Sequence, residues 1–566
     1  MLDVVARSQR GRICEYRNAS GALRTPCVLR SDAEGTSCVI LEEGGRTVRI
    51  LGLEVAVDPL IKTSAASGVS VQPMAKGSIA VMRLPVGGDE ILPDDAEVVI
   101  VPNAYEVKDD FRRLVDQVTR ARMAAGYGRL LVMLGIADPA NIALLTYMGV
   151  DAFDDGYLRV AGIGGTALTP EGSYAVGGDQ SMRNVEEAER EVAKVRVFAQ
   201  AGRLRELVDQ RSFSSAEGVA ALRVFDADCY DYQEKSFPVN GPRFSCNTVQ
   251  SLCRPDIVRY ERAMHGRYFP PRHKKILLLL PCSAKKPYHV SKSHRLFASA
   301  IHTAQHDTLV HEVVVTSPLG IVPRELDVFY PANAYDIPVT GEWKPEERER
   351  IRRMLADLVS KGNYERVVSH LGEDDALVKD MFEGIARTSV GDPVSPVSLR
   401  NLDGALRAAS EGMGRVDYGA DRDATARAAM AFQFGPEVAG VLMEGARATG
   451  KYPYWKVFRE EGGRRTQMCM MSAERGMFSL SPEGARTAAE HGYNIVEIQS
   501  FELKGSLFAV GVDRADHRIR IGDEAVIVSG GKAVGVGVAE MCGEEMEQAR
   551  RGVAVRVRHK FRCSRH

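Results

Sequence analysis

The run KKILLLLPCSAKKPYHVSKSH, from Lys274 to His294, decides how the rest of the chain is read. Five apolar residues, Ile276 to Leu280, stand between a lysine pair and a proline. An apolar run that short, with no polar alternation, has the pattern of a parallel strand buried on both faces. Pro281 has no N–H to give to a ladder, so the strand ends there. Cys282 then lies just past the carboxyl end of a strand, where open α/β sheets bind their ligands. Lys285, Lys286, Tyr288, His289, Ser291 and His294 follow, a concentration of groups that activate nucleophiles and move protons. A helix capped by Ser291 or Ser293 comes next, with Leu296, Phe297, Ala300 and Ile301 on one face.

The surrounding chain is long enough for about three or four domains at 566 residues. Its 45% hydrophobic and 26% charged content is that of an ordinary globular protein. The net charge of −1 excludes a wholly basic nucleic-acid coat but leaves room for local basic patches. Ten cysteines are scattered with no C-x-x-C pair, and MLDVVARSQRGR at the start lacks the apolar core of a signal peptide. Reduced thiols and a cytoplasmic location are expected. No run has the length of a membrane span, and no repeat of fixed period is seen.

Residues 1 to about 90 are short β-like runs with glycine turns. An α/β rhythm then begins: a strand at Val98–Val101, a helix with Phe111, Leu114, Val115 and Val118 on one face that stops near Gly126, a strand at Leu130–Leu134, and a helix through Ile142 and Leu145. Such alternation predicts a parallel sheet or a (β/α) barrel. A long polar helix is expected over Val185–Gln210, and a linker at FPPRHKK, near residue 268. Beyond the Lys274–His294 run, Glu312–Val315 is a strand. Pro345, Glu346 and Glu347 open a helix whose Ile351, Met354, Leu355, Leu358 and Val359 form one apolar face, and Gly362 stops it. Val367 and Val368 begin another strand, completing a small doubly wound α/β domain. Residues 411–428 read as a linker, and a compact α+β piece and a β-rich end follow.

PCSAKKPYHVSKSH fits the signature P-C-x3-K-P-Y-x2-S-x2-H, and with it the chain resembles the archaeosine synthases, archaeal tRNA-modifying paralogues of tRNA-guanine transglycosylase. The likeness extends through TSPLGIVPRELDVFYPANAYDIPVTGEW to about residue 343. LLTYMGVDAFDD, Leu144 to Asp155, resembles part of the transglycosylase barrel; FQFG, GKYP and LSPEGA resemble the piece that precedes the PUA module; and the end, with GSLFAVGV, IGDEAVIV, GVGVAEM and RGVAVRVRH, resembles a PUA domain. The resemblance implies a multidomain α/β protein. Residues 1–267 would be a degenerate transglycosylase-like barrel, 268–410 the α/β catalytic core, 429–496 the α+β pre-PUA domain and 497–566 a β-barrel PUA domain that binds RNA. Arg551, Arg556, Arg558 and His559 are its candidate RNA contacts, in a basic cluster with Arg550, Lys560, Arg562 and Arg565. The transglycosylase zinc pattern of three close cysteines and a histidine is not copied, because Cys229, Cys246 and Cys253 are far apart; zinc with His265 stays a weakly supported alternative, and no cofactor is assigned. Asp151, Asp154 and Asp155 are read as a solvated strand-end loop in preference to barrel carboxylates.

The same resemblance implies a tRNA substrate with 7-cyano-7-deazaguanine in its D-loop, whose nitrile becomes an amidine on the way to archaeosine. Cys282 is the candidate nucleophile, with a thiol pKa expected to fall beside Lys285, Lys286 and His294. Lys286, Tyr288, Ser291 and His294 complete the catalytic candidates, with His294 or Tyr288 as the acid and Ser291 explained equally well as a helix cap. Lys285, Ser317, Arg324, Glu325 and Asp336 are candidates for binding substrate. Lysine is favoured as nitrogen donor over glutamine, because no glutaminase elbow is visible. A radical-SAM lyase partner would act next on a lysine adduct, and a homodimer is a further alternative. The rival readings are base exchange by a transglycosylase and a non-catalytic tRNA scaffold.

Overall fold

Short β-branched strands separated by amphipathic helices set the architecture of the first part of the chain. In the computed structural model, which describes residues 2–32, 35–42, 45–57, 68–73, 78–87, 90–304, 306–339 and 341–561, the chain forms two compact units. The first comprises Met1–Pro238, Leu507–Arg520 and Glu540–Ala554, and the second Val239–Ser506, Ile521–Ala539 and Val555–His566.

The first unit is built on a six-stranded sheet. Its strands are β1 (Cys27–Leu29), β2 (Gly68–Pro73), β3 (Ser78–Arg83), β4 (Ala96–Val101), β5 (Leu130–Met133) and β6 (Ala152–Asp154), in the order β1-β6-β5-β4-β3-β2. All run parallel except β2. Among the described residues no ladder joins β1 to β2, so the barrel-like sheet is open at one side. Helix α1 (Phe111–Ala125) follows β4 and ends at Gly126, which takes the left-handed φ of +66° that a side chain disfavours. Helix α2 (Ile142–Met148) follows β5. The long polar helix expected over 185–210 is two helices, Ser181–Gln200 and Leu204–Ser212, because the chain turns at Gly202 with φ +69°.

In the second unit the Ile276 to Leu280 run is fully buried in strand β7 (Ile276–Pro281). It leads to helix α3 (Lys292–Thr303), strands β8 (Val310–Thr316) and β9 (Gly320–Pro323), helix α4 (Pro345–Lys361), strands β10 (Arg366–Ser369) and β11 (Ala386–Arg387), and helix α5 (Pro396–Ala409). The sheet order is β9-β8-β7-β10-β11, parallel except for the β8–β9 hairpin. Helices α3 and α5 pack together, and α4 packs on the helix Pro255–Gly266, so the sheet is covered in two layers. From β7 the chain moves one way to β8, then returns past β7 to β10. The carboxyl ends of β7 and β10 therefore flank the point where the winding reverses. In α4, Ile351, Met354, Leu355 and Leu358 are buried as the i, i+3, i+4, i+7 spacing requires, and Glu347 caps the Lys344 N–H at 2.7 Å.

Residues 418–428, expected within a linker, instead open helix α6 (Tyr418–Phe434). Asp417 accepts from the N–H groups of Gly419 and Ala420, and the small Ala426, Ala428 and Ala429 give the helix a face that can be buried closely. After it come a four-stranded antiparallel sheet (Ala446–Thr449, Lys456–Glu461, Arg464–Ser472, Met477–Leu480) and the strands of the PUA region. The strand Ile495–Ile498 pairs with Glu524–Ser529, which pairs in turn with Lys532–Ala539. Among the described residues no helix is long and apolar enough to cross a membrane.

Candidate active site

Strand β7 hands Cys282 to the switch point of the sheet. Its thiol is partly buried. Burial pushes the thiol pKa up, and the field of Asp374 pushes the same way; the charge of Lys286 and a hydrogen bond from Thr316 pull against them without winning. The expectation of a lowered thiol pKa is thus corrected: desolvation outweighs the cation. Lys286 shows the complementary effect. Burial lowers its ammonium pKa, although Cys282 and Asp336 favour the charge. Its Nζ lies 3.4 Å from the Ser283 carbonyl and 4.0 Å from the centre of the Tyr335 ring.

Behind the thiol lies a cluster of hydroxyls. Tyr288 is fully buried, and its hydroxyl reaches Thr316 Oγ1 at 3.1 Å and the Tyr335 hydroxyl, which also meets Thr316. Burial drives both phenol pKa values up, so the cluster consists of neutral O–H groups that can pass a proton toward Cys282. Thr316 ends β8 and Tyr335 belongs to the short strand Tyr335–Asp336, paired with Phe244–Ser245.

Ser291 is buried and caps α3 by accepting from the His294 N–H. His294 is buried as well. Arg324 Nη2, which can only donate, lies 2.7 Å from His294 Nδ1, and the Pro281 carbonyl, which can only accept, lies 3.0 Å from Nε2. These partners fix one neutral tautomer. Burial, reinforced by Arg324, depresses the imidazole pKa to about 3. The expectation of His294 as acid is corrected on this ground: both nitrogens are occupied, and the ring holds the Pro281–Cys282 turn in place.

The substrate-binding candidates separate into two groups. Arg324 pairs with Glu312 at 2.8 Å and Asp327 at 3.2 Å, and buried Glu325 accepts from Tyr268 at 2.6 Å and faces His311 at 3.6 Å. Both are interior ion-pair residues with their polar atoms occupied, which corrects the reading of them as clamps. Ser317 donates to Glu347 at the start of α4. Lys285 is exposed, and Asp336 is half exposed and pairs with exposed Arg243 at 3.0 Å. The groups missed in the sequence come from neighbouring segments: Thr316, Tyr335, Trp343 and Asp374. Asp374 stands just beyond β10 in Gly372–Leu377 and accepts from Trp343 Nε1 at 2.7 Å. The rule that ligands gather beyond strand ends at a switch point would have selected the GEDD run.

In the first unit, the aspartates expected in a solvated loop are buried. Asp151 is bound by Arg12 at 2.8 Å and Arg122 at 2.9 Å, Asp154 by Arg46 at 3.3 Å, and Asp155 by Arg159 at 2.6 Å. Burial pushes Asp151 up, but Arg12 and then Arg122 hold it below the ordinary carboxylate range; at Asp154 burial wins and the pKa rises to about 6. Zinc does not fit the cysteines: Cys246 is buried, Cys253 is exposed, and among the described residues no three His, Cys, Asp or Glu side chains converge on a metal position. In the PUA region, Arg556 and His559 are exposed. Arg558 is committed to buried Glu524 at 2.9 Å through Nη1, which removes it from the surface set; Arg551 is exposed and lies 3.5 Å from Asp3; Arg562 and Arg565 lie outside the described residues.

Comparison with known proteins accords with this architecture. Residues 257–406 match a family model described as a domain of unknown function (DUF5591), and residues 497–561 match the PUA domain. The archaeosine synthase subunit alpha of Thermoplasma acidophilum is 31% identical over 83% of this chain and 89% of its own length. That of Methanosarcina acetivorans is 32% identical over 82% of this chain and 80% of its own. The tRNA-guanine(15) transglycosylase of Methanothermobacter thermautotrophicus is 25% identical over 79% of this chain and 68% of its own. On this likeness, and with the P-C-x3-K-P-Y-x2-S-x2-H run at the switch point of its sheet, the chain belongs to the archaeosine synthase family of tRNA-modifying enzymes.

Proposed function

We propose that the protein acts on tRNA carrying 7-cyano-7-deazaguanine and adds an amine to the nitrile, with Cys282 as nucleophile. One observation carries the reading: the cysteine stands at the carboxyl end of β7, at the winding reversal, near Lys286 and the Thr316–Tyr288–Tyr335 hydroxyls, with Lys286 Nζ itself 4.0 Å from the centre of the Tyr335 ring. A nitrile carbon is attacked by sulfur while the thiol proton passes to the nitrile nitrogen, which gives a thioimidate, R–C(=NH)–S–Cys282. Tyr288 and Thr316, in hydrogen-bond contact, relay that proton, and Lys286 favours the thiolate in passing. An amine then displaces the sulfur and yields an amidine. His294 and Ser291 hold the loop, and Lys285, Asp336 and Arg243 line its exposed side. Lysine is the favoured donor, with glutamine-derived nitrogen as the alternative, and a lyase would follow if lysine is used. Exposed Arg551, Arg556 and His559 are the RNA contacts assigned to the PUA region.

Base exchange is the weaker reading, because Asp151 and Asp154 are spent on buried arginines and Asp155 is paired with Arg159. Mass spectrometry of nucleosides from cyano-deazaguanine tRNA, incubated with the protein and labelled lysine or glutamine, tests the proposal. A lysine-sized gain identifies a lysine transferase, and archaeosine formed with glutamine alone an amidotransferase. No change with either donor refutes the chemistry.

A further inference from the structure

The loops that leave β7 and β10 are neighbours. Leu279 of β7 is in register with Ser369 of β10, and the His370 N–H donates to the Leu279 carbonyl at 2.9 Å. The residues that follow, Cys282 on one loop and Asp374 on the other, thus emerge on the same side of the winding reversal. The three acidic residues of the second loop are not equivalent. The Asp375 carboxylate is occupied by the Ser369 hydroxyl. Asp374 is half-buried; one of its oxygens accepts from Trp343 Nε1 at 2.7 Å, and the other has no hydrogen-bond partner among the described residues. Trp343 is itself half-buried and supplies an aromatic surface next to that carboxylate. A carboxylate beside an indole is a combination suited to a primary ammonium, through charge, hydrogen bonding and cation–π attraction.

We propose that Asp374, oriented by Trp343, binds the ammonium group of the amine donor and removes its proton, so that the free amine can attack the Cys282-bound thioimidate. The inference rests on the proposed covalent chemistry at Cys282. Asp374 takes one proton from R–NH3+; the amine lone pair adds to the thioimidate carbon; the C–S bond breaks and sulfur leaves with the amine's second proton as the Cys282 thiol. The amidine, a much stronger base than a carboxylate, then takes the proton from Asp374 and restores it. Burial raises the Asp374 pKa above the usual carboxylate range, which brings it closer to that of the ammonium it must deprotonate.

Formation of the thioimidate and its breakdown can be measured separately. Full-length Asp374→Asn and wild type are mixed with cyano-deazaguanine tRNA without amine, and the protein–tRNA adduct is quantified on denaturing gels. Breakdown is then started in parallel arms with L-lysine, ammonium chloride or hydroxylamine, the last being unprotonated at neutral pH and needing no base. The expected result is adduct formation by the variant within about twofold of wild type, breakdown by lysine or ammonium slowed on the order of 100-fold, and breakdown by hydroxylamine nearly unchanged. Whichever of lysine and ammonium discharges the wild-type adduct is the donor. Equal lysine breakdown by variant and wild type overturns the role of Asp374. So does a hydroxylamine rate that falls as far as the lysine rate, since that marks a disturbed loop. Failure of the wild type to form any adduct refutes the covalent reading itself, and with it this one.

Discussion

Both units end parallel strands in acidic residues, and they treat them in opposite ways. In the first unit Asp151, just before β6, is held by Arg12 and Arg122, and Asp154, at the end of β6, by Arg46, all brought from elsewhere in that unit; Asp155 pairs with Arg159 four residues on, and its Oδ1 is buried without a hydrogen-bond partner among the described residues. Beyond β7 and β10, Cys282 and Asp374 are only partly buried; burial outweighs Lys286 and raises the thiol pKa, and one Asp374 oxygen has no hydrogen-bond partner among the described residues. Carboxylates buried against arginines are a structural device, whereas on the proposed function a partly exposed strand end with a thiol and a half-buried carboxylate receives the ligand.

The contrast breaks most directly at Cys282. Cys282→Ala should reduce amidine formation on the order of 1000-fold or more, with tRNA affinity unchanged in filter binding; wild-type turnover would leave the scaffold reading. Next in size, Asp151→Ala should leave two buried arginines unpaired and destabilise the protein by about 3–5 kcal/mol in denaturant titration, with the turnover of folded enzyme unaffected. Loss of turnover at full stability would instead make the closed strand end a working site. Lys286→Ala removes the cation that opposes burial at Cys282, so the thiol pKa must rise further. The pH–rate profile should move to higher pH, and a profile displaced by about one pH unit would lower the rate at neutral pH about tenfold. A profile displaced to lower pH would show that Lys286 does not favour the thiolate. The smallest effect should separate two arginines of the PUA region. Arg556→Ala should lower the salt dependence of tRNA binding by about one phosphate contact, and Arg558→Ala should not alter that slope.

Much of the sheet around β7 was legible in the sequence because its signals are local. An unbroken apolar pentad, a terminating proline, the serine cap at Ser291 and the apolar spacing of α4 each specify their element within a few residues. The site was legible only where it is contiguous. Cys282 and Lys286 lie in one loop, but Thr316, Tyr335 and Asp374 arrive from three other segments, and only the sheet order brings them together. Charge was the least legible property. A sequence shows that a cysteine has lysines nearby, yet the direction in which its pKa moves depends on how far burial outweighs them. Nor does it show that Arg324 and Arg558 are already engaged with Glu312 and Glu524. The misreading of 418–428 as linker has a similar origin: the alternating charges suggested solvent, whereas the alanines of α6 make a face small enough to pack.

Glu524 has a consequence for how the tRNA-binding end behaves as material. It is fully buried and receives Arg475 at 2.7 Å, Arg558 at 2.9 Å and the Leu480 N–H at 2.8 Å, and so joins the strand Glu524–Ser529 to both the last PUA strand and the sheet before it. None of these segments can open without stranding a charge in the interior, so they should exchange their amide hydrogens as one cooperative block and not strand by strand. Tension applied through a bound RNA would then be carried past the PUA barrel into the sheet that precedes it.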